Sequence, residues 1–122
     1  MLSPQKRPVH LLTITNKTQE QLSKENQIDE SLFPEKNRPL RFRKPVVLIS
    51  ARVHPGESVA SYAMEGVIDF LLNREDLRAH MLRDMFVFMV VPMINVDGVY
   101  NGHFRMDTFG HNLNRFYINP NL

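Results

Sequence analysis

The amino-acid sequence predicts an α/β fold in which helices flank a mostly parallel sheet. Two continuous apolar runs, residues 45–51 and 85–93, are typical of buried strands. Between them, residues 56–72 place apolar side chains on one face at helical spacing. Strands that alternate with helices along the chain are characteristic of α/β units.

The first predicted strand comprises residues 9–15 (VHLLTIT), which are apolar and β-branched. Residues 16–44 are polar, have no clear period and are interrupted by Pro34 and Pro39, so we predict a long surface excursion. Residues 19–24 are compatible with a short helix inside it. The run at residues 45–51 then resembles a central strand that is buried on both faces.

The helix predicted over residues 56–72 has Pro55 and Glu57 near its N-terminus, where proline and negative charge are both favourable. A second, shorter helix is predicted at about residues 75–83. The last strand, residues 85–92, should join the same sheet as the first two. It leads into Asn95-Val96-Asp97-Gly98, a cluster of turn-forming residues.

Two polar clusters follow buried strands directly, one at residues 54–57 and the other at residues 95–97. Open α/β sheets bind ligands at the carboxyl ends of their strands. The sequence therefore predicts a functional site at that edge of the sheet.

Composition limits the classes of protein that are possible. The chain has 122 residues, of which 43% are hydrophobic and 23% charged, and its net charge is +2. These values exclude a wholly disordered chain. There is no cysteine, which excludes disulfides, thiolate metal sites and a cysteine nucleophile. The longest apolar stretch, residues 85–94, is too short to cross a bilayer, and no signal peptide is apparent, so we expect a cytoplasmic protein.

His54 and Glu57 are three residues apart across the predicted strand-to-helix turn. Imidazole nitrogen and carboxylate oxygen are both good zinc ligands, and this spacing allows them to face one point. Taken alone, the pattern is more often a hydrogen-bonded surface histidine beside a helix-terminal carboxylate.

The wider sequence context favours the metal. The segments RVHPGES, PMINVDGVYNGHFR and GHNLNRFY occur in the order and approximate spacing found in zinc carboxypeptidases, and the chain most resembles the cytosolic carboxypeptidases. The resemblance implies the N-terminal half of a mixed zinc-carboxypeptidase sheet and one Zn²⁺ per complete catalytic domain. It also implies removal of C-terminal residues from peptides or proteins, with glutamate on acidic tubulin tails as the expected substrate. Neither nucleic acid nor membrane is an expected partner.

The resemblance assigns roles residue by residue. His54 and Glu57 match the first two zinc ligands, and Arg105 matches the arginine that polarises the scissile carbonyl. Asn114 and Arg115 match the pair that holds the terminal carboxylate of the substrate. A guanidinium suits both tasks because its charge is permanent and it can bind a carboxylate through two hydrogen bonds.

The chain departs from the family pattern in three respects. Asn112 stands where many relatives have an aspartate that orients the zinc-bound histidine, and Val96 replaces a proline. The family's third zinc ligand and its general-base glutamate are expected downstream of Leu122. We therefore interpret residues 1–122 as a partial catalytic domain, truncated at its C-terminus and also at its N-terminus, that is inactive alone. Other histidines match no family ligand: His10, His80, His103 and His111.

Two further interpretations remain open. A basic run with one aromatic residue resembles a platform for nucleic acid or another acidic surface: Lys36, Arg38, Arg41, Phe42, Arg43 and Lys44. The run directly precedes a predicted strand, however, which favours an ordinary solvated edge. The chain is also compatible with a non-catalytic interaction module derived from the peptidase fold.

Overall fold

The computed structural model describes residues 1–16 and 41–118 of the chain. Strands β1 (Leu12–Ile14), β2 (Val46–Ser50) and β3 (Val87–Val91) form one sheet in the order β1-β3-β2. The prediction that these three segments share a sheet is confirmed. β2 and β3 are parallel, whereas β1 pairs with β3 in the antiparallel sense. The mixed sheet that the family resemblance implies is therefore confirmed, and the mostly parallel sheet predicted from the order of strands and helices is not.

The central strand is β3, whose Val87, Phe88 and Val90 are buried. The prediction that residues 45–51 are covered on both faces is wrong for the described part of the chain. There β2 pairs only with β3, and its Val46 and Leu48 are exposed. A continuous apolar run indicates that a strand can be covered on both faces, but it does not identify which neighbours cover it.

Three α-helices and one 3-10 turn complete the described elements: α1 (Val59–Leu72), α2 (Leu77–Met85), α3 (Val96–Tyr100) and the 3-10 turn Leu113–Arg115. α1 begins later than predicted because residues 54–58 form a tight turn, with Glu57 N–H donating to the His54 carbonyl at 3.2 Å. The turn predicted at residues 95–98 is the start of α3. Among the described helices none is long and apolar enough to span a membrane.

The helix predicted at residues 19–24 lies outside the described residues. α2 was predicted over residues 75–83 and continues to Met85, so β3 begins at Val87 and not at residue 85. Asp76 caps the N-terminus of α2, its side chain accepting from the backbone N–H groups of Arg78 and Ala79, and this places the first helical residue at Leu77.

The hydrophobic core lies between α1 and one face of the sheet. Met64 and Leu71 of α1 pack with Ile14 of β1 and with Phe88 and Val90 of β3. The helix turns its buried face to the sheet because these side chains recur at helical spacing, and Val67 and Ile68 border them.

A buried arginine on α2 closes the C-terminal end of α1. The guanidinium of Arg83 donates to the carbonyl oxygens of Leu71 at 2.5 Å and Asn73 at 3.0 Å, and its Nε donates to Asn16 Oδ1 at 3.1 Å. The carbonyl groups at a helix C-terminus have no partner within the helix, so this contact satisfies groups that burial would otherwise leave unpaired.

Replacing Leu71 by alanine should lower the free energy of unfolding by about 2–5 kcal/mol, because Leu71 is almost fully buried and its loss leaves a cavity. Leu72→Ala is the matched control, since Leu72 is largely exposed and its loss should cost about 0.5 kcal/mol or less. Urea unfolding followed by circular dichroism measures both. Equal costs for the two variants would contradict the core described above.

Candidate active site

Parallel pairing brings the ends of β2 and β3 to the same edge of the sheet. Ser50 lies opposite Val91, and the two outgoing segments remain bonded to each other. The backbone N–H of Ala51 donates to the Val91 carbonyl at 3.1 Å, and that of Asn95 donates to the Arg52 carbonyl at 3.1 Å. Both polar clusters singled out in the sequence therefore lie at one edge.

Arg52 holds the turn that follows β2. Its backbone adopts the left-handed region with φ of 56°, which is uncommon for a residue other than glycine. Its guanidinium donates to the Pro55 carbonyl from Nε at 3.1 Å and from Nη2 at 2.6 Å, and Nη1 donates to Ser61 Oγ at 2.7 Å. The turn is thereby fixed to the first part of α1.

His54 has an oxygen atom next to each nitrogen of its imidazole. Nδ1 lies 2.8 Å from Glu57 Oε1, and Nε2 lies 3.0 Å from Asn112 Oδ1. His54 is 6% exposed, whereas the Glu57 side chain is 56% exposed. The imidazole is thus enclosed, while the carboxylate beside it remains open to an incoming ligand.

The amide of Asn112 determines which imidazole nitrogen carries hydrogen. Asn112 Oδ1 also accepts from the backbone N–H of Asn114 at 3.2 Å, so it is the oxygen and not the amide nitrogen that faces this side. Nε2 of His54 must then be the donor. Nδ1 and the Glu57 carboxylate are both electron-pair donors, and a cation, either a proton or a metal ion, is needed between them.

These two groups fit zinc in their chemistry. Two ligands with zinc bonds of about 2.0–2.2 Å at the tetrahedral angle lie roughly 3.4 Å apart, so a small shift of the exposed Glu57 side chain accommodates the ion. Within residues 1–16 and 41–118, no group of three histidine, aspartate or glutamate side chains is placed to hold a metal. Among the described residues, the structure therefore places two zinc-compatible groups, His54 Nδ1 and the Glu57 carboxylate, next to each other.

The side chain of Asn95 connects three segments of the site. Its Oδ1 accepts from the Gly98 N–H at 3.0 Å, and its Nδ2 donates to the carbonyl oxygens of Val53 and Met106, each at 3.3 Å. Asn95 is 4% exposed. One buried amide thus joins the turn that carries His54, helix α3 and the segment that carries Arg105.

Two glycines allow these segments to approach closely. A Cβ atom at Gly56 would lie 2.7 Å from the Phe104 carbonyl oxygen, to which the Gly56 N–H donates. A Cβ atom at Gly98 would lie 2.5 Å from the Pro55 side chain. Any larger residue at either position would push the adjoining segment away from the His54 turn.

The structure brings Glu57 and Asn112 into contact with His54, and none of the described contacts joins the other predicted site residues to that imidazole. Arg105 directly follows Phe104, and within the described part of the chain it has no hydrogen bond or ion pair. It lines an open cavity of about 440 Å³ formed by residues 103–110, whereas Glu57 lines a different one.

Asn114 and Arg115 follow Asn112 in the 3-10 turn, and both are exposed. The Arg115 guanidinium donates to the Asn114 carbonyl at 3.1 Å. Their position one turn away from the His54 contact follows from Asn112, which caps this 3-10 turn and contacts His54 through the same oxygen atom.

The remaining histidines do not join His54. His103 Nδ1 faces the carbonyl oxygens of Met106 and Asp107, at 3.3 and 3.1 Å, and His111 packs against the Phe116 ring. His80 lies on the exposed side of α2, beside Asp84 at 3.0 Å.

The contacts of the N-terminal segment are not predictable from the sequence. A turn formed by residues 3–7 surrounds the buried carboxylate of Asp97, which accepts from Ser3 Oγ at 2.7 Å, the Gln5 N–H at 3.0 Å and Arg7 Nη1 at 2.8 Å. The Arg7 guanidinium also stacks 3.6 Å over the Tyr100 ring. These pairs are about ninety residues apart in sequence, so no local pattern identifies them.

Burial has the largest single influence on the pKa of Asp97 and raises it. Three hydrogen bonds, from Ser3, from Arg7 and from the Gln5 amide, lower the pKa. Their combined effect is larger than that of burial, so the pKa lies below its ordinary value of 3.8. A carboxyl with a depressed pKa stabilises the fold at higher pH, and that contribution is lost as the pH falls through the folded-state pKa.

Asn95→Ala should lower the free energy of unfolding by about 1–3 kcal/mol, because it leaves the Gly98 N–H and two carbonyl groups unpaired. Asn95→Asp keeps the acceptor but faces a charge toward two carbonyl oxygens, and it should cost at least as much. Asn101→Ala, at an exposed asparagine, should change stability by about 0.5 kcal/mol or less. Chemical denaturation measures the free energy of unfolding of each variant. An Asn95→Ala variant as stable as wild type would contradict the role of Asn95 in connecting the three segments.

Asp97→Asn should remove part of the acid sensitivity of the fold. The difference in free energy of unfolding between wild type and Asp97→Asn should be largest at neutral pH and should shrink as the pH falls below 3.8. Urea titrations across this pH range provide the measurement, with Asp69→Asn on the exposed face of α1 as the control. A difference that grows toward acid pH would contradict the assignment.

Comparison with known families identifies proteins that this chain resembles. The sequence profile of the family described as zinc carboxypeptidase matches residues 2–119. A human protein named cytosolic carboxypeptidase-like protein 5 is 45% identical over 115 residues, which are 92% of this chain and 13% of that protein. A protein from Caenorhabditis elegans named cytosolic carboxypeptidase 6 is 46% identical over 77 residues, which are 63% of this chain and 17% of that protein.

Solved structures show the same fold. A metallo-carboxypeptidase from Burkholderia cenocepacia superposes with a TM-score of 0.74 at 30% identity, over 98% of this chain and 27% of that one. A metallo-carboxypeptidase from Pseudomonas aeruginosa superposes with a TM-score of 0.73 at 26% identity, over 98% of this chain and 26% of that one. The chain thus spans about an eighth of the length of the human relative and about a quarter of these solved chains. The match over nearly all of its residues shows that the chain belongs to the zinc carboxypeptidase family.

Proposed function

We propose that the protein is part of a zinc-dependent carboxypeptidase that removes C-terminal glutamate from polyglutamylated tubulin. The observation that carries the proposal is the position of His54 between two oxygen atoms. Asn112 Oδ1 faces Nε2, which leaves Nδ1 beside the Glu57 carboxylate, where a cation is required. The tubulin substrate rests on the resemblance to cytosolic carboxypeptidases.

In this proposal His54 Nδ1 and Glu57 are the first two zinc ligands. Asn112 orients the imidazole through Nε2, and since its amide carries no charge it raises the basicity of the imidazole less than an aspartate would. The bound zinc ion supplies Lewis-acid polarisation of the scissile carbonyl and activation of water. The exposed side of Glu57 leaves room for a water molecule and for the scissile carbonyl of a substrate to approach.

The arginines act on the substrate. Arg105, which has no competing carboxylate partner among the described residues, stabilises the negative charge that develops on the carbonyl oxygen. Asn114 and Arg115 hold the terminal carboxylate of the substrate, and a guanidinium that makes two parallel hydrogen bonds to it restricts cleavage to chain ends. Both side chains are exposed and available to a peptide that enters from solvent.

We further propose that residues 1–122 form part of a larger catalytic domain located in the cytoplasm. The third zinc ligand and the general base would be provided outside this sequence. The alternative of a basic nucleic-acid platform has less support, because Lys44 Nζ is bonded to the Thr15 side chain and to the Asn16 and Arg83 carbonyls. Lys36 and Arg38 lie outside the described residues.

Calorimetric titration of the 122-residue chain with zinc tests the ligand pair. We expect weak binding, because two protein ligands are fewer than the three of a catalytic site, and His54→Ala should abolish it. His80→Ala is the matched control, since His80 is exposed and also lies beside a carboxylate. Zinc binding that survives His54→Ala would favour the non-catalytic interaction module.

Activity is measured as glutamate released from a polyglutamylated tubulin-tail peptide, with and without a chelator. The 122-residue chain should release negligible glutamate. A longer parent protein that includes the downstream histidine and glutamate should release it, and His54→Ala in that protein should abolish release. Strong chelator-sensitive release by the 122-residue chain would show that the third ligand lies within it, with His103 and His111 the first residues to test.

A further inference from the structure

The N-terminal segment forms a closed turn whose polar contacts with the other described residues lie mainly on one helix, α3. The Ser3 N–H donates to the Arg7 carbonyl at 2.8 Å, the Lys6 N–H donates to the Ser3 carbonyl at 2.9 Å, and Leu2 bridges to Pro8. We call residues 1–8 the N-terminal turn. Its shape is defined by its own backbone hydrogen bonds, so it can move as a unit.

The described polar contacts that fix this turn to other parts of the protein lie on α3 and its C-terminal cap. They are the Asp97 carboxylate, the Tyr100 ring under Arg7, and Asn101, whose Nδ2 donates to Gln5 Oε1 at 3.2 Å. Asp97 is the central one, since Ser3, Gln5 and Arg7 all bind it. Docking of the turn therefore depends on the charge and hydrogen bonding at one carboxylate.

The residue nearest to Asp97 lies in a sequence that kinases recognise. Ser3 is followed by Pro4, and the basic residue Lys6 stands three positions after it. Proline-directed serine kinases prefer a serine that is followed directly by proline and, three residues after the serine, by a basic residue. Ser3 is the only serine or threonine in the 122-residue sequence that proline follows.

We propose that Ser3 is a phosphorylation site for a proline-directed serine kinase, and that phosphorylation releases the N-terminal turn from α3. Ser3 Oγ attacks the γ-phosphorus of a nucleoside triphosphate. A new Oγ–P bond forms, the bond from the γ-phosphorus to the bridging oxygen breaks, and the nucleoside diphosphate leaves. The hydroxyl proton passes to the kinase's catalytic base. The phosphorylated chain carries close to two additional negative charges at neutral pH.

Release follows from the surroundings of Ser3 Oγ. The hydroxyl donates to Asp97 and accepts from the Arg7 N–H at 2.9 Å, and phosphorylation removes the donated hydrogen. Ser3 also lines a cavity of about 100 Å³, and Asp97 is among the other residues that line it. A phosphate on Ser3 Oγ would face the Asp97 carboxylate within a partly buried space, where screening by solvent is weak.

The basic residues of the turn favour the released state. Arg7 now pairs with Asp97, and a phosphate three bonds from the Ser3 backbone competes for the same guanidinium. Lys6 is exposed at the corner of the turn. Once Arg7 pairs with the phosphate, Asp97 loses two of its three donors. The remaining hydrogen bond from the Gln5 amide to Asp97 does not offset the repulsion between the phosphate on Ser3 and the Asp97 carboxylate.

Access for the kinase requires only local opening. Pro4, Gln5 and Lys6 are exposed and Ser3 is half-buried, so the recognised residues face solvent. The turn contributes no residue to the hydrophobic core. Segments held by surface hydrogen bonds and few apolar contacts open far more often than the core unfolds.

Release of the N-terminal turn affects the candidate active site because α3 lies between the two. Asp97 lies within α3, which Asn95 caps, and Leu113 of the 3-10 turn lines the same small cavity as Ser3. Loss of the N-terminal turn uncovers this side of α3 and of the cavity. Phosphorylation should therefore increase motion in α3 before it changes the core.

The first test incubates the purified 122-residue chain with a proline-directed kinase and magnesium ATP, followed by mass spectrometry. We expect Ser3 to be modified, and Pro4→Ala, which keeps the hydroxyl, should slow its modification at least tenfold, roughly the discrimination that a lost specific contact provides. Absence of phosphate at Ser3, or equal modification of the Pro4→Ala variant, would overturn the assignment of the site.

The second test measures hydrogen exchange of the α3 amides in the phosphorylated and unmodified chains. Exchange over residues 96–101 should accelerate by roughly tenfold or more, as expected for like charges brought close together, while the amides of β3 should not change. Ser3→Glu should reproduce part of the effect, and Ser3→Gln, which matches its size without the charge, should produce less. Equal exchange in Ser3→Glu and Ser3→Gln, or unchanged α3 exchange after full phosphorylation, would show that the phosphate does not release the turn.

Discussion

The parallel pairing of β2 with β3 is the constraint on which the remaining geometry depends. It sends the two outgoing segments from one edge of the sheet, where their backbones bond to each other directly. Asn95 then fills the space between them and donates to the carbonyl groups of both Val53 and Met106. A carboxylate of the same shape lacks those donors, and an apolar residue would leave three backbone groups unpaired in a buried place.

From this edge outward, each polar group determines the state of the next. The Asn114 N–H fixes the amide of Asn112, the amide oxygen fixes hydrogen on His54 Nε2, and Nδ1 is thereby presented to Glu57. No single contact in the series is strong. Together they hold the imidazole in one orientation, with Nδ1 toward the Glu57 carboxylate and Nε2 toward the Asn112 amide oxygen.

The sequence was sufficient for the elements whose signal is local. The apolar runs predicted the three strands, and helical spacing predicted α1 and α2 to within a few residues. The mixed character of the sheet was not predictable from the runs, because antiparallel β1 pairs with β3 about seventy-five residues away. In the candidate site, the proximity of His54 to Glu57 followed from their spacing, and the contact with Asn112 was expected only from family resemblance. The ligation itself remains a prediction. Asn95 looked like an ordinary turn residue, and nothing near Ser3 or Arg7 indicated their partner Asp97.

The two halves of the molecule are stabilised by different kinds of force. Between α1 and the sheet, apolar burial dominates, and such packing tolerates a change of shape if volume is conserved. At the site edge, directional bonds to buried polar atoms dominate, including those of Asn95, Arg52 and Asp97. A directional bond is lost when its partner moves by less than one ångström, because its geometry is narrow. Small changes of charge at the site edge therefore alter its geometry more readily than they alter the core. The apolar core, in contrast, keeps the strands in place when the site edge changes.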